Sequence, residues 1–134
     1  EILRSTKRVV EAATEFEMVI VSGISPGVDV AAHEAALAAG LPTIAVPGCG
    51  LDVLFESDRG DLAQRIVDGG GMVVSPFPNH SAETEERRWW RNRLISVLCH
   101  GFVLVASEPN GGALEAQRWA RQLERRLIEP EDES

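Results

Sequence analysis

A short apolar run, Met18 to Val21, meets Ser22-Gly23 and passes through Ile24-Ser25-Pro26-Gly27 into the alanine-rich stretch Val28 to Ala39. The run does not alternate with polar residues, which suits a strand covered on both faces. Glycines let a backbone approach a ligand closely. The first turn of a helix adds free N–H groups and the positive end of its dipole. The passage Val19 to Asp29 therefore reads as strand, loop and helix. The loop is either an anion site or a plain tight turn with Asp29 as a dipole-favoured first-turn acid, and spacing alone does not choose. It lacks the G-x-G-x-x-G spacing, so the usual dinucleotide fingerprint is absent.

The same grammar recurs along the chain. Residues 3–16 have helical spacing, with Leu3, Val9, Val10, Ala13 and Phe16 able to share a face. Thr43 to Val46 reads as a strand ended by Pro47-Gly48, and Asp58 to Asp68 as a helix with Leu62, Ile66 and Val67 facing inward. Met72 to Ser75 is a third strand, Pro76 to Glu86 a polar loop, and Trp89 to His100 a helix. Phe102 to Ala106 is a fourth strand, and a last helix runs from about Gly112 to Leu127. Helices alternating with continuous apolar strands imply an α/β fold. The expected form is a Rossmann-like three-layer sandwich, a mainly parallel sheet with helices on both faces. A single domain is expected over 1–128, with an acidic tail at 129–134. In such sheets ligands bind beyond the carboxyl ends of the strands, and every candidate motif here lies at such an end or on the helix that follows one.

Composition removes several classes. The chain has 134 residues, the size of one domain, and no apolar run near the roughly 20 residues of a membrane span. Glu1-Ile2-Leu3-Arg4 has no signal-peptide character, and Cys49 and Cys99 form no closely spaced pair, so a cytoplasmic, reducing compartment is expected. Three histidines and two cysteines without ligand spacing predict no metal site, and no cofactor is expected. The net charge of −8 argues against a general nucleic-acid binder. Between Arg87 and Arg126, however, eight arginines face three acids, a local excess of five positive charges.

Four elements carry the chemistry. The Ser22–Asp29 loop is the first, and Val46-Pro47-Gly48-Cys49-Gly50-Leu51-Asp52 is the second, with Cys49 buried on the plainer reading. The third is Trp89-Trp90-Arg91-Asn92-Arg93, whose guanidiniums suit bidentate phosphate contacts. Its tryptophans suit base stacking or, more simply, one core and one surface position. The fourth is Ser107 to Glu115, again strand, glycine pair and helix, followed by a basic stripe at Arg118, Arg121 and Arg125. His33 stands four residues after Asp29 on one helix face and reads equally as a satisfied histidine or a ligand contact.

Together these elements resemble the core domain of the DNA-processing protein A family (DprA, also called Smf). The residues that carry the resemblance are Ser22-Gly23-Ile24, Gly27-Val28-Asp29, Ala32-His33, Thr43 through Asp52, Ser75, Pro78, Arg91 through Ile95 and Gly112-Ala113-Leu114. The resemblance covers about Met18 to Arg126. It implies a non-catalytic protein that binds single-stranded DNA, assists loading of a RecA-type recombinase during DNA uptake, and forms a homodimer. The ligand-binding residues it implies are Ser22, Gly23, Gly27, Gly48, Arg91, Asn92, Arg93 and Gly112, with Asp29 and Asp52 ordering loops. Pro26 stands where the family has an arginine, which shifts the expected binding toward Arg91 and Arg93. The family's domain also opens with a further strand ahead of the helix that begins this chain, and a sheet without it has an unpaired edge. The alternative is a nucleotide-binding sensor or a nucleotide phosphoribohydrolase-like member of the same superfamily, of which Pro109 to Leu114 is a partial echo.

Overall fold

A computed structural model describes residues 1–105 and 112–129. Helix α1 (Ile2–Thr14) leads into strand β1 (Ile20–Ser22), helix α2 (Val28–Ala38) and strand β2 (Thr43–Ala45). Helices α3 (Leu51–Glu56) and α4 (Gly60–Asp68) precede strand β3 (Met72–Val73). Helix α5 (Glu85–Leu98), strand β4 (Gly101–Val103), helix α6 (Gly112–Gln122) and strand β5 (Arg126–Ile128) complete the order. All strand pairs are parallel, in the order β1-β2-β3 and, separately, β4-β5. The α/β architecture expected from the sequence is present.

Most elements fall within a few residues of their sequence reading, and the differences have local causes. Helix α5 starts at Glu85, inside the expected polar loop, because Thr84 Oγ1 accepts the Arg87 N–H at 3.1 Å and so caps it. Strand β4 is shorter than expected and begins at Gly101. The last helix ends at Gln122, five residues early. Glu124 turns the chain with a φ of 56° and Arg126–Ile128 pairs beside β4 as a fifth strand. The short helix α3 was not anticipated. Beyond Glu129 the acidic tail lies outside the described residues, as does the part of the fourth loop at 106–111.

The core forms where helical and strand faces meet. Ile24, Ala45, Cys49, Leu54, Leu62, Ala63 and Ile66 make one cluster, and Val10, Ala32, Ala36 and Leu41 another. The buried face of α1 is Thr6, Val10 and Ala13, not the expected Leu3 and Phe16, which are 58% and 68% exposed. Val67, expected to face inward, is likewise exposed, because Leu62, Ala63 and Ile66 already fill the α4 stripe that packs on the sheet. Helix α2 ends at Ala38, and Gly40, with a φ of 71°, turns the chain so that Gly40 and Leu41 donate back to Leu37 and Ala36.

Strands β1 and β4 do not pair with each other. Both line one open cleft of about 2620 Å³, together with one side of α1 along most of its length and residues of α5. The unpaired edge anticipated from the sequence thus lies between the two groups of strands. No helix among the described residues is long and apolar enough to cross a membrane.

Candidate functional site

The carboxyl ends of β1 and β2 are drawn together by one side chain from α5. Arg91 is 5% exposed and its guanidinium is fully engaged. Nη1 donates to the Val46 carbonyl at 2.6 Å, Nη2 to Ser25 Oγ at 3.1 Å and Nε to Asn92 Oδ1 at 2.9 Å. Nη2 also stands 3.9 Å from Asp29 Oδ2. Burial lowers the Arg91 pKa, with Asp29 the main opposing influence. An arginine remains charged under such conditions, so its solvation is supplied by these partners.

Asp29 organises the first loop, as its place in the motif suggested. It accepts from Ser22 Oγ at 2.7 Å and from the Ser25 N–H at 3.1 Å. A side chain at Gly23 would meet the Asp29 carboxylate at 2.5 Å and the Arg91 guanidinium at 2.6 Å, which is why this position is bare. Gly27 is different: its φ is 101° and nothing stands within 4 Å of where a Cβ would be. The backbone there is open. His33 secures the loop from below, with Nε2–H donating to the Gly23 carbonyl at 2.6 Å and Nδ1 2.7 Å from Thr43 Oγ1. Burial lowers its pKa below the ordinary 6.5, so the ring is neutral near pH 7. Asp52 meets His80 Nδ1 at 3.3 Å on the outer side of the second loop.

Gly48 lies under Arg88, whose Cγ would be 2.5 Å from a Cβ there. Asn92 links α5 to α6, its Nδ2 donating to the Gly112 carbonyl at 2.8 Å. A Cβ at Gly112 would stand 2.9 Å from that same amide nitrogen. Seven of the eight expected site residues thus gather around the strand ends: Ser22, Gly23, Gly27, Gly48, Arg91, Asn92 and Gly112.

Arg93 does not join them. Residues two apart on a helix point about 200° apart, so Arg91 and Arg93 serve opposite faces. Arg93 is held between Trp90 at 4.0 Å and Trp119 at 4.5 Å, a cation–π sandwich. The expectation of one core and one surface tryptophan is corrected: Trp89 and Trp90 are both exposed, at 39% and 53%. The basic stripe expected on the last helix is partly spent on structure, and Arg125 falls beyond the end of α6. Arg118 pairs with Glu115 at 3.3 Å, and Arg125 donates to the Ser96 and Val97 carbonyls. Glu115 also accepts from Trp119 Nε1 at 3.0 Å.

Three charged residues of this rim were not singled out in the sequence. Glu83 accepts from Arg59 Nη2 at 2.5 Å and from Arg88 Nη1 at 3.0 Å. Burial works to raise its carboxyl pKa, but the two arginines outweigh that and hold it below the usual value. Arg88 stands one turn before Arg91, so the i, i+3 spacing was the available signal. Cys49 is buried as expected, and burial raises its thiol pKa. Among the described residues no group of three or more His, Cys, Asp or Glu is placed to hold a metal.

Comparison with known proteins shows the family. Residues 2–132 match the family model for DNA recombination-mediator protein A. DNA processing protein DprA of Streptococcus pneumoniae is 36% identical over 111 residues, covering 83% of this chain and 39% of that protein. Protein Smf of Synechocystis is 30% identical over 122 residues, covering 91% of this chain and 30% of that protein. The chain therefore spans well under half the length of these relatives. The crystal structure of the Streptococcus pneumoniae protein superposes with a TM-score of 0.83 at 32% identity, over 96% of this chain and 44% of that one. DNA processing protein A of Helicobacter pylori gives a TM-score of 0.83 at 24% identity, over 98% of this chain and 60% of that one, and supports the fold. By the extent of the family match and the identity to its curated members, the chain belongs to the DNA recombination-mediator protein A family, whose relatives are named DprA and Smf.

Proposed function

We propose that this domain binds single-stranded DNA along the carboxyl rim of its parallel strands and works without catalysis, in the cytoplasm, as part of recombinase loading during DNA uptake. The observation that carries the reading is that the two most specific family motifs meet in space. The Ser22–Asp29 loop and the Arg91-Asn92-Arg93 segment are joined by Arg91, 3.1 Å from Ser25. The Helicobacter pylori neighbour is described through its single-stranded DNA binding mode, which lends the same ligand class to this rim. Ser22, Gly23, Gly48, Asn92 and Gly112 shape the rim, Gly27 offers open backbone, and Arg91 supplies its central charge. Arg93, on the other face of α5, would meet DNA only where the strand wraps past Trp90.

Phosphate contacts release counterions, so affinity must fall as salt rises. The test is fluorescence anisotropy of a labelled oligonucleotide at increasing salt. A straight log–log decline is expected, and no detectable binding at low salt overturns the reading. A homodimer and a RecA-type recombinase partner belong to the same proposal. Gel filtration with light scattering tests the first, and a recombinase-loading assay on coated single strands tests the second.

A further inference from the structure

We propose that Arg59 and Arg88 form a phosphate-binding fork at this rim, and that the Glu83 carboxylate occupies it until a phosphate displaces it. The inference rests on the proposed single-stranded DNA function for its location and ligand class, and adds three residues beyond the motifs named in the sequence. Two guanidiniums from different elements converge on one carboxylate, each taking one oxygen: Arg59 Nη2 on Oε2 at 2.5 Å and Arg88 Nη1 on Oε1 at 3.0 Å. A phosphodiester presents the same kind of paired anionic oxygens, and arginine forks favour that geometry.

Both arginines are braced by the protein, independently of Glu83. Arg59 Nη1 donates to the Ile24 carbonyl of the first loop at 2.8 Å, and its Nε is 3.7 Å from the exposed Asp58. The stem of Arg88 lies on the backbone of Gly48, in the second loop. Glu83 is held differently. Among the described residues its side chain bonds to nothing except these two arginines. It belongs to the connection before α5, between exposed Ala82 and Thr84, so it can leave without opening a helix or a strand. The carboxylate stays ionised because both arginines bond to it, and it therefore imitates the charge of the ligand it would yield to. Its departure would leave two preformed cations braced on Ile24 and Gly48 of the first two loops, at the strand ends where such sheets bind ligands.

The test uses the whole 134-residue chain. Glu83→Gln is compared with Glu86→Gln, an equal change of charge at an exposed position, after urea unfolding shows both are folded. Glu83→Gln should tighten oligonucleotide binding about tenfold beyond the control, the scale of one charge-assisted contact released from competition. Adding Arg59→Gln should cancel that gain. Inorganic phosphate, followed by NMR of the arginine Nε–Hε signals, should shift Arg59 and Arg88 more strongly in Glu83→Gln than in the unaltered chain. Equal binding by the two glutamine variants overturns the proposal where oligonucleotide binds, and unmoved Arg59 and Arg88 signals overturn it in every case. Phosphate shifts without oligonucleotide binding to any variant would keep the fork and overturn the DNA reading instead.

Discussion

Replacing Arg91 with methionine keeps the stem of the side chain and removes the fork. The Val46 carbonyl, Ser25 Oγ and Asn92 Oδ1 then lose a donor at once. Hydrogen bonds from a charged donor contribute roughly 1.5–3 kcal/mol each and do not add. Two effects reduce the total. Removing a buried guanidinium also removes its desolvation cost, and Asp29 keeps its bonds from Ser22 and the Ser25 N–H. The net expectation is a loss of about 3 kcal/mol, a sizeable share of the 5–15 kcal/mol typical of a domain. Urea unfolding of Arg91→Met would show the midpoint falling with little change in slope. Arg91→Lys should lose about 2 kcal/mol, since one ammonium does not reach three acceptors in different directions. The Arg91–Asp29 separation of 3.9 Å limits their direct pairing, so a double-mutant cycle with Asp29→Asn should give a coupling below about 1 kcal/mol. A loss below about 1 kcal/mol for Arg91→Met would refute the role of Arg91 as the latch of the strand ends.

Other expectations follow from the same contacts. Because the folded pKa of His33 lies below its ordinary 6.5, its contribution to stability is full above that pH and declines as pH drops toward the folded value; His33→Gln should flatten this part of a urea-midpoint profile. Gly23→Ala should cost about 2 kcal/mol or more through collision with Asp29 and Arg91, whereas Gly27→Ala should cost about 1 kcal/mol through backbone strain alone. Comparative melts would separate the two, and equal losses would contradict the geometry. Arg93→Ala should cost about 1 kcal/mol and alter tryptophan fluorescence, because it empties the space between Trp90 and Trp119.

The order of strands, loops and helices was legible because continuous apolar runs meet glycine or proline at the strand ends. The burial of Cys49 was legible from its apolar run, and the loop-ordering role of Asp29 from the family resemblance and not from its spacing. Helix α3 was not, since six residues carry too little periodicity. Strand β5 was hidden because Arg126–Ile128 follows the helical pattern of α6 without a glycine; the turn falls instead on Glu124, with its φ of 56°. The division between Arg91 and Arg93 follows from helix geometry, but the partners that settle their roles, Ser25 and Val46 for one and Trp119 for the other, lie tens of residues away in sequence. The Arg59–Glu83 contact is of the same kind, joining the N-terminus of α4 to the connection before α5. Pairings of that sort belong to the folded chain and leave no local pattern.

The cleft between β1 and β4 bears on how the molecule comes apart. Its two ladders, β1-β2-β3 and β4-β5, exchange no backbone hydrogen bond, so neither protects the other's amides from solvent. The Arg91 and Asn92 side chains of α5 tie one ladder's loops to the other's helix. Native-state hydrogen exchange should therefore resolve two cooperative units with different opening free energies, and α5 should exchange with the more protected one.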